Sequence, residues 1–130
     1  MTRLTLKQLP KHPDDTAPHG FKKRTLLQLD GGVMAHFELS PGHTSRAIVH
    51  RIVSEMWYFL QGEGEMWRKL DEQEEIVPVA AQVCVSIPVG THFQFRATGK
   101  EALIAVGVSM PPWAGGGEVY YVSGAWLSDL

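Results

Sequence analysis

Residues 42–62 read GHTSRAIVHRIVSEMWYFLQG. Two apolar runs, Ala47 to Val53 and Met56 to Leu60, lie between the bracketing glycines Gly42 and Gly62. Each is short and rich in β-branched or aromatic residues, so each reads as a buried strand. His50 and Glu55 stand inside this apolar setting. A carboxylate among apolar neighbours is costly to bury alone. Glu55 therefore calls for a partner, and His50, an arginine or a metal would each serve.

The same pattern continues outward. Val33, Ala35, Phe37 and Leu39 alternate with Met34, His36 and Glu38, and Val83, Val85 and Ile87 alternate again. This is period two, the period of a half-buried strand. Ala102 to Val108 has the length of another buried strand. Turn signals separate the segments: Asp30-Gly31-Gly32, Pro41-Gly42, Gly62-Glu63-Gly64, Pro88-Val89-Gly90 and Thr98-Gly99-Lys100. The charged stretch Arg68 to Glu75 reads as the tip of a long hairpin. No stretch of helical length shows an amphipathic face. The 130 residues, with 13 glycines and 8 prolines, make one all-β sandwich or barrel. An N-terminal arm (1–19), a barrel core (27–109) and a C-terminal strap (110–130) divide it, with Gly115-Gly116-Gly117 as a loose piece.

Composition excludes several classes. A net charge of -2 and a pI near 6.3 lack the basic excess of a nucleic-acid surface. The longest apolar run, Ala102 to Val108, is far short of the ~20 residues that span a bilayer. No signal-peptide core opens the chain. A single cysteine, Cys84, excludes an internal disulfide framework and points to the reducing cytoplasm. Set on an apolar strand, it reads as a small buried hydrophobe. No phosphate loop, Gly-x-Ser-x-Gly elbow or Cys-x-x-Cys pair occurs.

The bracketed stretch resembles the first motif of the cupin superfamily. That motif runs glycine, five residues, His-x-His, three or four residues, glutamate, six residues, glycine. Gly42, His50, Glu55 and Gly62 match, and Ile48 stands where the first histidine belongs. The second cupin motif centres on Pro-x-Gly-x-x-His, and Pro88-Val89-Gly90 fits its core. Its histidine position falls on Phe93, with His92 one place early; Gln82 and Ala97 replace its terminal glycine and asparagine. Met110-Pro111-Pro112-Trp113 and Glu65-Met66-Trp67-Arg68 look like features of small bacterial single-domain cupins. The resemblance implies a double-stranded β-helix (jelly-roll) barrel, a homodimer, and a site inside the barrel where histidines and a glutamate hold iron, manganese, nickel, copper or zinc.

The departures shape the functional expectation. A catalytic metal generally has three or more protein ligands, whereas Ile48 and Phe93 carry no donor atom. His92 would supply a third ligand only if a bulge turned it inward, because a one-residue slip exchanges the faces of a strand. The apolar parity of Ala81 to Phe95 favours the unslipped register. The leading expectation is a lumen that binds a small, partly apolar molecule, lined by Arg46, Ile48, His50, Glu55, Trp57, Phe93 and Phe95. Its metal site would be degenerate or absent. Alternatives are a metal-dependent oxygenase or sugar isomerase using His50, Glu55 and His92 (iron, manganese, nickel or zinc), and a metal-free isomerase or lyase using His50 and Glu55 as acid and base. Trp57 and Trp67 read as packing residues. Arg51 and His36 rank low as site residues, and His12, His19 and His43 fall in arms or turns facing solvent.

Overall fold

The computed structural model describes residues 3–112 and 115–130. Trp113, which closes the Met110–Trp113 block, and Ala114 after it lie outside the described residues. Eleven strands and one 3-10 turn follow in order: β1 (Asp15–Thr16), β2 (Lys22–Leu29), β3 (Gly32–Leu39), β4 (Ile48–His50), β5 (Ser54–Gln61), β6 (Glu63–Leu70), β7 (Gln73–Ala80), β8 (Cys84–Ile87), β9 (His92–Ala97), β10 (Leu103–Met110), the turn Gly116–Glu118, and β11 (Val119–Tyr121).

They form two antiparallel sheets, one of six strands in the order β1-β2-β3-β10-β5-β8 and one of five in the order β11-β4-β9-β6-β7. Consecutive segments therefore cross repeatedly between sheets: β4 lies in the second, β5 in the first, β6 and β7 in the second, β8 back in the first. That alternation is a double-stranded β-helix. The strand set reaches beyond 27–109 at both ends, taking in β1, β2 and β11. The charged segment around Asp71 is the two-residue turn of the β6–β7 hairpin, where Leu70 pairs with Gln73. Among the described residues no helix is long and apolar enough to cross a membrane.

Period-two patterning fills the space between the sheets. Ala35, Phe37 and Leu39 of β3, Trp57 and Phe59 of β5, Phe93 and Phe95 of β9, and Leu103 and Ala105 of β10 are all buried in one core. Phe37, Trp57 and Phe95 form a three-ring stack, with centroids 4.5 and 4.9 Å apart and planes 6° and 8° from parallel. Gly107 makes room for it, since a Cβ there would sit 2.7 Å from Trp57 Cδ1. Gly62 turns the chain between β5 and β6 at φ 87°, a left-handed conformation that glycine adopts without strain. Cys84 does not join this core. It falls on the outward parity of β8 and is exposed.

Candidate functional site

His50 ends β4, and the short connection 51–53 leads to Glu55 near the start of β5. Both side chains point between the sheets, so two strands from different sheets bring them together. His50 Nε2 lies 3.5 Å from Glu55 Oε1. A third residue closes the other side of the ring: Glu118 Oε2 lies 3.4 Å from His50 Nδ1. Glu118 arrives because β11 pairs with β4, Val119 opposite His50. Its carboxylate accepts the Ile52 N–H at 2.8 Å and the Val53 N–H at 3.1 Å, which fixes the turn and the carboxylate in one step. Glu55 is held just as fully. It accepts the Trp57 Nε1–H at 3.2 Å and the hydroxyl of Ser109, its cross-strand neighbour on β10.

With an acceptor at each ring nitrogen, the doubly protonated imidazolium is the form of His50 that satisfies both contacts. Burial by itself would lower the His50 pKa. The hydrogen bonds and charges of Glu55 and Glu118 outweigh burial and raise it. Burial would likewise raise the Glu55 pKa, but the hydrogen bond and charge of His50 and the Ser109 hydroxyl hold it below the ordinary value. The contacts are ion-pair distances at the long end of hydrogen bonding, a geometry that tightens readily around a bound molecule.

His50, Glu55 and Ser109 share a recess with His19, Lys23 and Ile48. Its free volume is about 20 Å³, room for roughly one water molecule. The space is small because His19 fills the rest. The turn Ala17-Pro18-His19-Gly20 dips into the barrel mouth, and the imidazole meets Phe21, Phe37, Trp57 and Phe93 edge-on at centroid distances of 4.8–6.3 Å. The expectation of a solvent-facing His19 is thus overturned: it is 3% exposed. Burial, partly offset by the charge of Glu55, pushes its pKa down to about 3.

The other expected site residues divide cleanly. Ile48, His50 and Glu55 line the recess. Trp57, Phe93 and Phe95 are inside the barrel but packed in its core, with Phe93 stacked on the His50 ring at 6.1 Å. Arg46 is not at the mouth. Its guanidinium donates to the Leu130 carbonyl oxygen at 2.8 Å and to the Tyr121 hydroxyl at 3.4 Å, on the outer side of the barrel. His92 also faces outward, against the Trp67 ring, because β4 and β9 pair Ile48 with Phe93 and Val49 with His92. The next outward residue, Gln94, is covered by the C-terminal segment, whose Trp126 backbone bonds to both ends of its amide. Arg51 lies outside over the Tyr120 ring. His12 is exposed and His43 pairs with Asp129 at the surface, whereas His36 is buried on the outer face of β3 across from Arg24.

The cupin fold commonly holds a divalent metal, and the donor set here does not fit one. Two of the four family positions are Ile48 and Phe93, both ring nitrogens of His50 face carboxylates, and His92 is on the wrong face. Among the described residues no three histidine, cysteine or acidic side chains gather as a metal site.

Glu118, His19 and Ser109 were not legible as site residues. Glu118 follows a glycine run and precedes a three-residue strand, a single acidic residue before Val-Tyr-Tyr that hints at a cap without naming what it caps. His19 sits in a Pro-His-Gly turn with no periodic pattern around it.

No family model and no curated protein sequence matches this chain. Solved structures do. A double-stranded β-helix domain protein from Klebsiella pneumoniae superposes with a TM-score of 0.69 at 16% identity, over 93% of this chain and 99% of that one. PAC13 from Streptomyces, solved with uridine, gives 0.70 at 16% identity, over 93% of each chain. The cupin domain of Cnp3 from Schizosaccharomyces pombe gives 0.63 at 15% identity, over 70% of this chain and 64% of that one, just under two thirds of its length. The fold is the cupin fold.

Proposed function

We propose that this protein binds a small, partly apolar molecule in its barrel and acts on it by metal-free acid–base chemistry. One observation carries the reading: His50 is held between two buried carboxylates, Glu55 on the lumen side and Glu118 behind. Glu118 plays the orienting part, fixing the ring through Nδ1 as the carboxylate of a catalytic triad does. His50 Nε2–H then faces the recess as a proton donor, with the Glu55 carboxylate beside it as the acceptor. A proton removed from the bound molecule by Glu55 and one delivered by His50 leave the molecule isomerised, epimerised or cleaved by elimination. Transfer from Glu55 back to His50 across their contact restores both groups. PAC13, with uridine in the same fold, supports a compact organic molecule as the ligand.

Two measurements test this on the untagged protein. Elemental analysis after exposure to iron, manganese, nickel and zinc should find no stoichiometric metal. The NMR titration of His50 should show an imidazolium persisting above the ordinary histidine pKa of about 6.5. A retained equivalent of metal, or a His50 that titrates at or below that value, overturns the reading.

We also propose that a second copy covers the outer face of the six-stranded sheet. Met34, Met56, Tyr58 and Leu60 are exposed there beside Val106 and Val108. The three strands that carry them, β3, β10 and β5, each of eight residues, offer roughly 400 Å² of flat face, about half of the ~800 Å² per partner of a stable interface, so flanking residues would supply the rest. The expected state is a homodimer by light scattering, with Met56→Glu monomeric; a monomeric wild type ends the proposal. The exposed thiol of Cys84 suits a reducing compartment, and we place the protein in the cytoplasm.

A further inference from the structure

With about 20 Å³ free in the recess, a molecule larger than water has no room beside His19 where it stands. The side chain that closes it is a neutral aromatic heterocycle, held much as a ligand would be. Four rings frame the His19 imidazole. The backbone N–H of Phe21 donates to its Nδ1 at 3.3 Å, which leaves the ring proton on Nε2. Glu55, His50 and Lys23 are the charged or titratable groups acting on it.

Of the turn, Ala17 belongs to the apolar core of the walls, and Pro18 and Gly20 are half-buried. Phe21 is fully buried in the core, edge-on to Phe37, Trp57 and Phe95, and belongs to the framework. Two backbone bonds tie the turn before it to the framework, from Ala17 N–H to the Phe21 carbonyl at 2.9 Å and from Arg46 N–H to the His19 carbonyl at 2.8 Å. Gly20 is the natural hinge. Its φ is 103°, and a Cβ there would sit 2.7 Å from the Leu130 side chain.

We propose that the ligand of this lumen is a neutral, planar nitrogen heterocycle that displaces the Ala17–Gly20 turn and takes the place of the His19 imidazole. The chemistry of the vacated place selects that class. The four rings accept a flat group edge to face. The buried Phe21 N–H loses its acceptor when His19 leaves, so the ligand must bring one, as a purely hydrocarbon ring does not. On the opposite side Glu55, His50 and Ser109 offer polar atoms to the ligand's own N–H or oxygen. The proposal rests on the acid–base reading only in setting the ligand beside His50 and Glu55.

Two probes test it, 4-methylimidazole at about pH 8.5, where it is neutral, and uracil; toluene is the hydrocarbon control. His19→Gly should bind both heterocycles saturably by calorimetry, at least ~10-fold tighter than wild type, because the competing side chain is gone. It should bind toluene at least ~10-fold more weakly than uracil. Gly20→Ala keeps the imidazole but strains the closed turn, so it too should bind uracil more tightly than wild type. In wild type, saturating uracil should move the His19 resonances to those of a solvent-exposed histidine. Toluene binding His19→Gly as well as uracil does, no gain in either variant, or uracil binding with His19 unmoved each overturns the proposal. The His50 titration decides the acid–base reading separately, so either can fall without the other.

Discussion

Two histidines share one recess and are displaced in opposite directions. His19 and His50 are almost equally buried, 3% and 4% exposed. The ring nitrogen of His19 accepts from a backbone amide, and aromatic edges surround the rest, so burial dominates and the ring stays neutral down to about pH 3. His50 faces a carboxylate at each nitrogen, and those partners reverse the effect of burial. Partner chemistry, not depth, decides the charge of a buried histidine.

Removing Glu118 should break this contrast most severely. Glu118→Ala takes away the Nδ1 partner of His50 and the acceptor of the half-buried Ile52 amide and the buried Val53 amide. A loss of about 3–5 kcal/mol in urea unfolding is expected, as for other broken buried pairs. Glu118→Gln retains an acceptor oxygen and should lose less.

Cutting the other contact is next. Glu55→Gln should bring the His50 titration down toward the ordinary value and cost about 1–3 kcal/mol, the scale of a lost charged hydrogen bond. An unchanged His50 titration would show that Glu118 alone holds the charge.

The pH dependence of stability follows from the signs. The depressed pKa of His19 contributes stability that is complete above about 6.5 and is lost as pH falls toward about 3. The lowered pKa of Glu55 contributes stability present above its ordinary value of 4.5 and lost as pH falls through the folded-state value. The raised pKa of His50 acts oppositely: its contribution is complete below 6.5 and lost as pH rises through the folded-state value. Denaturant melts at pH 7 and pH 5 should therefore show wild type weakening on acidification, and His19→Phe weakening less. Equal slopes would mean that His19 does not titrate on opening.

The smallest effect belongs to His92. His92→Ala, on the outer face, should change stability by no more than about 0.5 kcal/mol and leave the His50 resonances in place. A shifted His50 titration would mean that the β4–β9 register places His92 inside the barrel.

Much of this was legible locally. Alternation in Val33–Leu39 and the spacing from Gly42 to Gly62 set the strands and put His50 and Glu55 in an apolar setting, and the apolar parity of Ala81 to Phe95 favours Phe93 over His92 as the inward residue. The reason is that side-chain direction in a strand has period two and follows from the sequence of one segment. Arg46 shares that parity with His50 but lies before β4 begins, where parity no longer fixes direction, and it turns to Tyr121 and Leu130 instead. Cys84 obeys the parity rule against the buried reading: Val85 and Ile87 take the inward face of β8, so Cys84, on the other parity, faces out.

The sequence by itself determined the barrel, its turns, a buried Glu55 in need of a partner near His50, and the loss of donors at Ile48 and Phe93. Tertiary structure alone decided that Glu118, sixty-eight positions beyond His50, stands behind its ring, and that His19 fills the space a ligand needs. Both come from irregular segments, where no period ties side-chain direction to sequence. Their places are set by which strand pairs with which, β11 with β4, and by the aromatic rings of Phe21, Phe37, Trp57 and Phe93 that receive the His19 imidazole.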